Sequence, residues 1–328
     1  MSQVPAPGYP ASTGRGVGAQ LNRDGLWAQV VRGRLAYLFL APTLILIFAV
    51  VFYPIFNTFV MSLSEVNAVA QPVRFVGLGN YTALFRTPLF WRVLSQTAMW
   101  TGLVVSITTV ISMPVALALN LKFPGRRIAR AMLIIPWAAS LMINAIIWRW
   151  ILDGQYSIIN ALLFKLHLIQ EPIIWTGEAT VAWVAIISVG ILVSIPFTSF
   201  SLLAGLQSIP AELYEAARVD GAGFGTAFVH ITFPLMRQAL MVTTLMNVIY
   251  VFNSFPIIWV LTEGGPAYRT DILITYLYKE AFRNGRFGPA SAMAVITFLL
   301  LLAFSLSFAK LTAERERKGE SSGNEARG

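Results

Sequence analysis

Residues 208–234 read SIPAELYEAARVDGAGFGTAFVHITFP, a long charged interruption between hydrophobic runs that also carries the signals of a folded segment. Pro210 supplies a fixed φ suited to a first helical turn, and Glu212 and Glu215 stand near the positive end of the helix it opens. Leu213, Ala216 and Ala217 recur at helical spacing and make one small, apolar face. Asp220-Gly221-Ala222-Gly223 then ends the helix, because glycine adopts backbone angles at which a side chain would clash. A second amphipathic segment, Phe224 to Phe233, leads to Pro234. Such a helix–turn–helix between two membrane spans predicts a docking surface, with small residues for close approach and carboxylates for a partner's basic groups. Glu212 and Glu215 lie beside no histidine and no metal motif, so docking accounts for them better than acid–base catalysis.

The rest of the chain sets this segment in a membrane. Of its 328 residues 56% are hydrophobic and 12% charged, with mean hydropathy +0.68. A soluble globular chain carries about 25% charged residues. The net charge of +9, from 24 basic and 15 acidic residues, fits cytoplasmic anchoring, and no nucleic-acid-binding motif accompanies it. The absence of cysteine excludes disulfides, thiolate catalysis and cysteine metal sites. His167 and His230 lie in different connections, neither with a second histidine at ligand spacing, so no metal site is expected. None of the five lysines is followed by Ser or Thr, so the phosphate-binding signature of an ATPase is missing.

Residues 1–34, rich in Gly, Pro, Ser and Ala, are expected to be a largely disordered cytoplasmic segment, with a short surface helix over Leu26 to Arg34. They are not expected to form a signal peptide, since the first hydrophobic run begins only at Leu35 and is too long for one. Residues 35–309 form the transmembrane domain. Its uncharged runs are Leu35–Leu63, Val93–Leu121, Ala131–Trp148, Ala179–Ala211, Gln238–Thr262 and Phe287–Ala309. Crossing the hydrocarbon takes about 20 helical residues. The third run is short, but Arg149 between Trp148 and Trp150 can snorkel at an interface and extend it to Leu152. The spans are therefore placed at about 35–63, 93–121, 131–152, 179–207, 238–262 and 287–309. Pro42, Pro54, Pro114, Pro136, Pro196 and Pro256 predict kinks within them. Residues 310–328 are expected to be a frayed helix end and a cytoplasmic tail. No internal repeat suggests the inverted halves of many secondary transporters.

Basic residues orient the bundle. With the N-terminus inside, Arg15, Arg23, Arg32, Arg34, Lys122, Arg126, Arg127, Arg130, Arg218, Arg237 and the five basic residues of the tail share one side, leaving nine of the 24 for the other. The acid-free cluster Lys122 to Arg130 is the cleanest signal. Both termini and the 208–234 loop are thus expected in the cytoplasm.

Glu215-Ala216-Ala217, then Gly221, then Ile231-Thr232-Phe233-Pro234 resemble the EAA loop of permeases in importers driven by ATP-binding cassettes. Phe233 stands where leucine is usual, which keeps the apolar character. Phe75-Val76-Gly77-Leu78-Gly79-Asn80-Tyr81 is similar to the segment after the first span in the carbohydrate-uptake group, and Leu261-Thr262-Glu263-Gly264-Gly265-Pro266 with Thr270 is similar to that group's loop after the fifth. Tyr276, Tyr278, Ala281-Phe282 and Phe287-Gly288 continue the likeness, as do Pro136-Trp137, Trp148, Tyr156 and Asn160 around the third span. The resemblance runs from about Leu35 to Phe308.

It implies an all-α membrane protein with six transmembrane helices, the MetI-like fold of type I importer permeases in the maltose-type branch. It further implies alternating access driven by separate ATPase subunits, with ATP and magnesium bound there and no cofactor in this chain. The implied partners are a second permease, two cytoplasmic cassette ATPases and an extracytoplasmic solute-binding protein, in a bacterial or archaeal cytoplasmic membrane. Glu215, Ala216, Ala217, Asp220 and Gly221 are the positions assigned to the ATPase contact. Asp220 is also placed to cap the second helix through its side chain, and the two roles are compatible.

The implied solute is a sugar, with glycerol 3-phosphate or another polyol as the alternative. Asn247, Tyr250, Asn253 and Ser254 recur at helical spacing in the fifth span and make a polar stripe. Asn144 in the third span and Ser188, Ser194 and Thr198 in the fourth are further candidates for a solute path, with Tyr250, Phe252 and Trp259 for stacking. The same residue types also make interhelical hydrogen bonds. An ion-coupled carrier is the competing transport class, but it would want intramembrane acids, which the spans lack. A membrane-bound glycosyltransferase would want clustered acids, and Glu65, Glu263 and Asp271 are the only outer candidates.

Overall fold

The computed structural model describes residues 34–325. The leader expected to lack structure lies outside them. The chain falls into two units, Met1–Asn57 and Thr58–Gly328.

The first apolar run is a helix in three parts: α1 (Arg34–Ile47), a widened π turn over Phe48–Phe52, and α2 (Tyr53–Ser62). The Tyr53 N–H reaches back to the Phe48 carbonyl across that turn. The widening comes just before Pro54, which has no N–H to offer the preceding turn and whose ring crowds it.

A short antiparallel ribbon follows, β1 (Ser64–Val66) with β2 (Pro72–Phe75), which the sequence reading did not anticipate. Next come α3 (Gly79–Phe85) and the 33-residue α4 (Pro88–Asn120). Pro88 opens α4 at a position where its missing N–H costs nothing. The third span is two helices, α5 (Arg126–Ala138) and α6 (Leu141–Ile151), bent by 95°. The break follows Pro136: Ala139 turns extended, and the Ser140 hydroxyl accepts the Ile143 N–H to start α6. After α7 (Ile158–Lys165) comes α8 (Ala179–Gln207), a 29-residue helix that keeps Pro196 inside it. The 208–234 segment supplies α9 (Ala211–Val219), α10 (Phe224–Ala227), a second π turn over Phe228–Thr232 and α11 (Phe233–Leu235). The fifth span divides into α12 (Arg237–Phe252) and α13 (Phe255–Thr262). Then come α14 (Leu273–Tyr278) and α15 (Phe287–Glu325). α15 runs on well past Ala309, because the tail residues are mostly good helix formers without proline.

Among the described residues five helical stretches are long and apolar enough to cross a bilayer, and α5 with α6 makes a sixth if the bent pair counts as one span. Within the second unit, α4 packs along α8. Trp100, Val104 and Val105 meet Ala185, Ile186 and Val189, and Val251, Ile257 and Ile258 close the same cluster from α12 and α13. A separate cluster joins the far ends of these helices: Ala116 and Leu119 of α4, Leu202, Leu203 and Leu206 of α8, and Met236. Outward faces of α4 expose Leu103, Ile107, Val110 and Ile111. A patch of that size would be a liability in water and is ordinary where lipid is the solvent.

Candidate coupling surface and solute path

α9 begins one residue later than the sequence suggested. Pro210 sits just outside it with φ −57°, and Glu212 occupies the first turn. Its exit is a complete Schellman motif. The Gly221 N–H reaches the Arg218 carbonyl at 3.1 Å, and the Ala222 N–H reaches the Ala217 carbonyl at 2.8 Å. Gly221 has φ +78°, the left-handed conformation the motif requires and side chains resist. Asp220 ends α9 and does not cap the next helix, where Gly223 holds the cap position without a side-chain bond. The expected second role of Asp220 is therefore corrected: one turn of backbone separates it from the free N–H groups of α10.

The predicted docking residues share an exposed surface. Glu212, Leu213, Glu215, Ala216, Arg218, Val219, Asp220 and Gly221 are all exposed, while Ala217 is half-buried. A Cβ built on Gly221 or Gly223 would meet nothing within 4 Å. This surface is tied to the returning segment within the loop, and the spans on either side meet each other where the loop leaves them. The Tyr214 hydroxyl lies 3.0 Å from Thr232 Oγ1, and Thr232 is buried on the returning helix. Gly205 of α8 lies so close to Ala239 of α12 that a Cβ on the glycine would overlap that of Ala239. The two helices that flank the loop are thus in backbone-close contact where the loop leaves them, as small residues permit.

The polar stripe predicted for the fifth span separates into two faces. Asn247 is fully buried and its amide donates to Thr198 Oγ1 at 3.1 Å, while Thr198 in turn donates to the Ser194 carbonyl at 2.9 Å. Ser194 and Ser254 are buried as well. Tyr250 and Asn253 are exposed, on the same side as Val242 and Met246. The helical count fails beyond Phe252, where α12 ends, and the Asn253 amide turns back to the Ile249 carbonyl at 3.0 Å. Asn144 is engaged at the bend: its amide lies 3.1, 3.2 and 3.3 Å from the carbonyls of Pro136, Ala139 and Ser140. It satisfies backbone freed by the break. Ser188 is exposed on α8.

The outer connections hold what sequence reasoning missed. Asp271 is fully buried, and Lys279 Nζ lies 2.7 Å from its Oδ2 while the Thr275 hydroxyl donates to its Oδ1 at 2.8 Å. Gly264 passes so close that any side chain there would collide with the Asp271 carboxylate. Burial pushes the Asp271 carboxyl above the usual range, although Lys279 and Thr275 pull the other way. Burial, with Glu280 nearby, takes the Tyr276 phenol to about 12. Arg283 meets Glu263 at 2.7 Å and Arg286 meets Glu280 at 3.0 Å. Glu65 pairs with Arg74 at 2.9 Å across the ribbon, and Asn80 donates to the Ser62 and Ser64 carbonyls behind it. Glu65, Glu263, Asp271 and Glu280 are thus spent on ion pairs within the loops. Among the described residues no three His, Cys, Asp or Glu side chains are grouped to hold a metal.

Residues 109–318 match the family described as the binding-protein-dependent transport system inner membrane component. A probable ABC transporter permease protein of Brucella suis is 44% identical over 283 residues, covering 86% of this chain and 98% of that one. The trehalose/maltose transport system permease protein of Thermococcus litoralis is 34% identical over 278 residues, covering 85% of this chain and 93% of that one. Among solved structures, a chain of a bacterial ABC transporter involved in the import of the acidic polysaccharide alginate superposes with a TM-score of 0.77 at 23% identity, over 89% of this chain and 99% of that one. That likeness concerns the fold.

Proposed function

This chain belongs to the family of binding-protein-dependent transport system inner membrane components, and from that premise we propose that it is one of two permeases in an ATP-driven saccharide importer. As a member of the family it is a membrane-embedded transport subunit and not an enzyme. Its termini and α9 face the cytoplasm. Two cassette ATPases bind ATP and magnesium there, a second permease completes the pathway, and an extracytoplasmic binding protein delivers the solute.

The observation that carries the coupling role is α9 itself. Glu215 and Ala216 are exposed on it and Asp220 and Gly221 at its exit, and the bond from Tyr214 to Thr232 links it to the helix that returns to the membrane. ATPase closure moves α9, and α8 and α12 follow, because Gly205 and Ala239 hold them together at the loop. The ATPases must bind the two permease conformations with different affinity, since otherwise nothing is transmitted. The saccharide class is supported by the name of the relative from Thermococcus litoralis. On the exposed side of α12 Tyr250 offers an aromatic face, and just past its end the exposed Asn253 offers its amide oxygen to sugar hydroxyls. Asn247 and Asn144 bond within and between these helices, and Ser194 and Ser254 are buried among them.

The test is uptake of labelled maltose, trehalose and glycerol 3-phosphate into vesicles holding the assembled transporter, with and without ATP and binding protein. Saccharide uptake that needs both supports the reading. Uptake of glycerol 3-phosphate alone selects the polyol alternative, and uptake driven by an ion gradient without ATP overturns both.

A further inference from the structure

The connection from α4 to α5 reads Lys122-Phe123-Pro124-Gly125-Arg126-Arg127-Ile128-Ala129-Arg130. The backbone turns at Gly125, with φ +87°, and Lys122, Arg126, Arg127 and Arg130 line one open cavity of about 810 Å³ together with Phe123 and Ile128. Among the described residues no carboxylate stands within ion-pair distance of these four cations. Arg130 is held against the last turn of α4, donating to the Leu119 carbonyl at 3.1 Å, yet its Nε is buried without a partner. At the same level Leu121, Phe123 and Ile128 are exposed.

Unneutralised cations beside exposed apolar side chains, at the end of a membrane helix, match the headgroup boundary of a bilayer. A free anion would gain nothing from Leu121, Phe123 and Ile128. An acidic protein surface would leave those side chains in water. We propose that this connection binds the phosphate of an anionic phospholipid, with Lys122, Arg126, Arg127 and Arg130 around its oxygens and Leu121, Phe123 and Ile128 among its acyl chains. The proposal rests on the function proposed above only for placing that lipid in the cytoplasmic leaflet. The binding itself is measurable without transport.

The experiment is native mass spectrometry of the full chain, purified in mild detergent with its accompanying subunits and titrated with phosphatidylglycerol or phosphatidylcholine. Wild type is expected to retain phosphatidylglycerol about tenfold better or more. Retention should fall about fivefold for each charge removed, hence about 25-fold in R126Q/R127Q. It should persist in R126K/R127K and in the distant control K165Q. Equal retention of the two lipids by wild type overturns the proposal and needs no variant that inserts correctly. So does undiminished phosphatidylglycerol retention by R126Q/R127Q. Displacement by millimolar inorganic phosphate would make this a free-anion site. Loss of a partner subunit from R126Q/R127Q, with lipid retention intact, would make it a protein contact.

Discussion

The Trp100 indole lies directly on Gly190: a Cβ built on the glycine would fall 2.5 Å from the ring's Cη2. The same indole donates its Nε1–H to the Val251 carbonyl at 2.9 Å, so one fully buried side chain joins α4, α8 and α12. Gly190→Ala should push the ring off its seat and break that bond, with a loss of about 1–3 kcal/mol for overpacking. Trp100→Phe keeps most of the ring and loses only the donor, for about 1 kcal/mol. Thermal unfolding in detergent reads both. An unshifted midpoint in G190A would mean that the indole has room to move.

Gly221 separates strain from contact. Its φ of +78° makes any side chain costly, but nothing lies within 4 Å of a Cβ there. Gly221→Val should therefore destabilise the chain by only about 1–2 kcal/mol, the usual cost of a left-handed residue. Yet it should sharply reduce co-purification of an ATPase, and Glu215→Lys should do the same with no change in unfolding. Normal ATPase retention and stimulated hydrolysis in both variants would remove α9 from the coupling path.

The hydroxyl contact at 3.0 Å between Tyr214 and Thr232 predicts a third phenotype. Tyr214→Phe leaves the exposed docking residues in place and loosens their link to the returning helix by about 1 kcal/mol. ATPase binding should be kept while uptake per ATP hydrolysed falls. Unchanged stoichiometry would show that the link transmits nothing.

The buried pair of Asp271 and Lys279 should behave non-additively. Asp271→Asn or Lys279→Met alone strands a buried charge and should cost about 3–5 kcal/mol, whereas the double variant should recover much of that loss. Additive losses in a double-mutant cycle would show that the two side chains contribute independently.

The sequence was most informative where the cause was local. An uncharged run bounded by Glu178 and Glu212 is enough to locate α8, and a glycine after Asp220 is enough to end α9. It was least informative where the cause was a partner distant in the chain. Nothing near Gly190 signals Trp100, and nothing near Asp271 distinguishes a buried carboxylate from the exposed Glu263. Between these cases lie the breaks. Pro136 signals a kink, but the 95° bend also depends on the Ser140 cap and the Asn144 amide. The polar stripe divides inside α12 itself, where Asn247 is buried and Tyr250 exposed: residues three apart straddle the edge of the buried face, and the packing of α8 sets that edge.

The coupling proposed for α9 requires separate ATPases bound to this chain. Affinity purification of the tagged chain from its native membrane in mild detergent, with mass spectrometry of what accompanies it, tests that most directly. A cassette ATPase and a second permease should accompany the wild-type chain, and the ATPase should be lost with Glu215→Lys. A homogeneous oligomer of this chain alone, with no ATPase, would contradict that coupling.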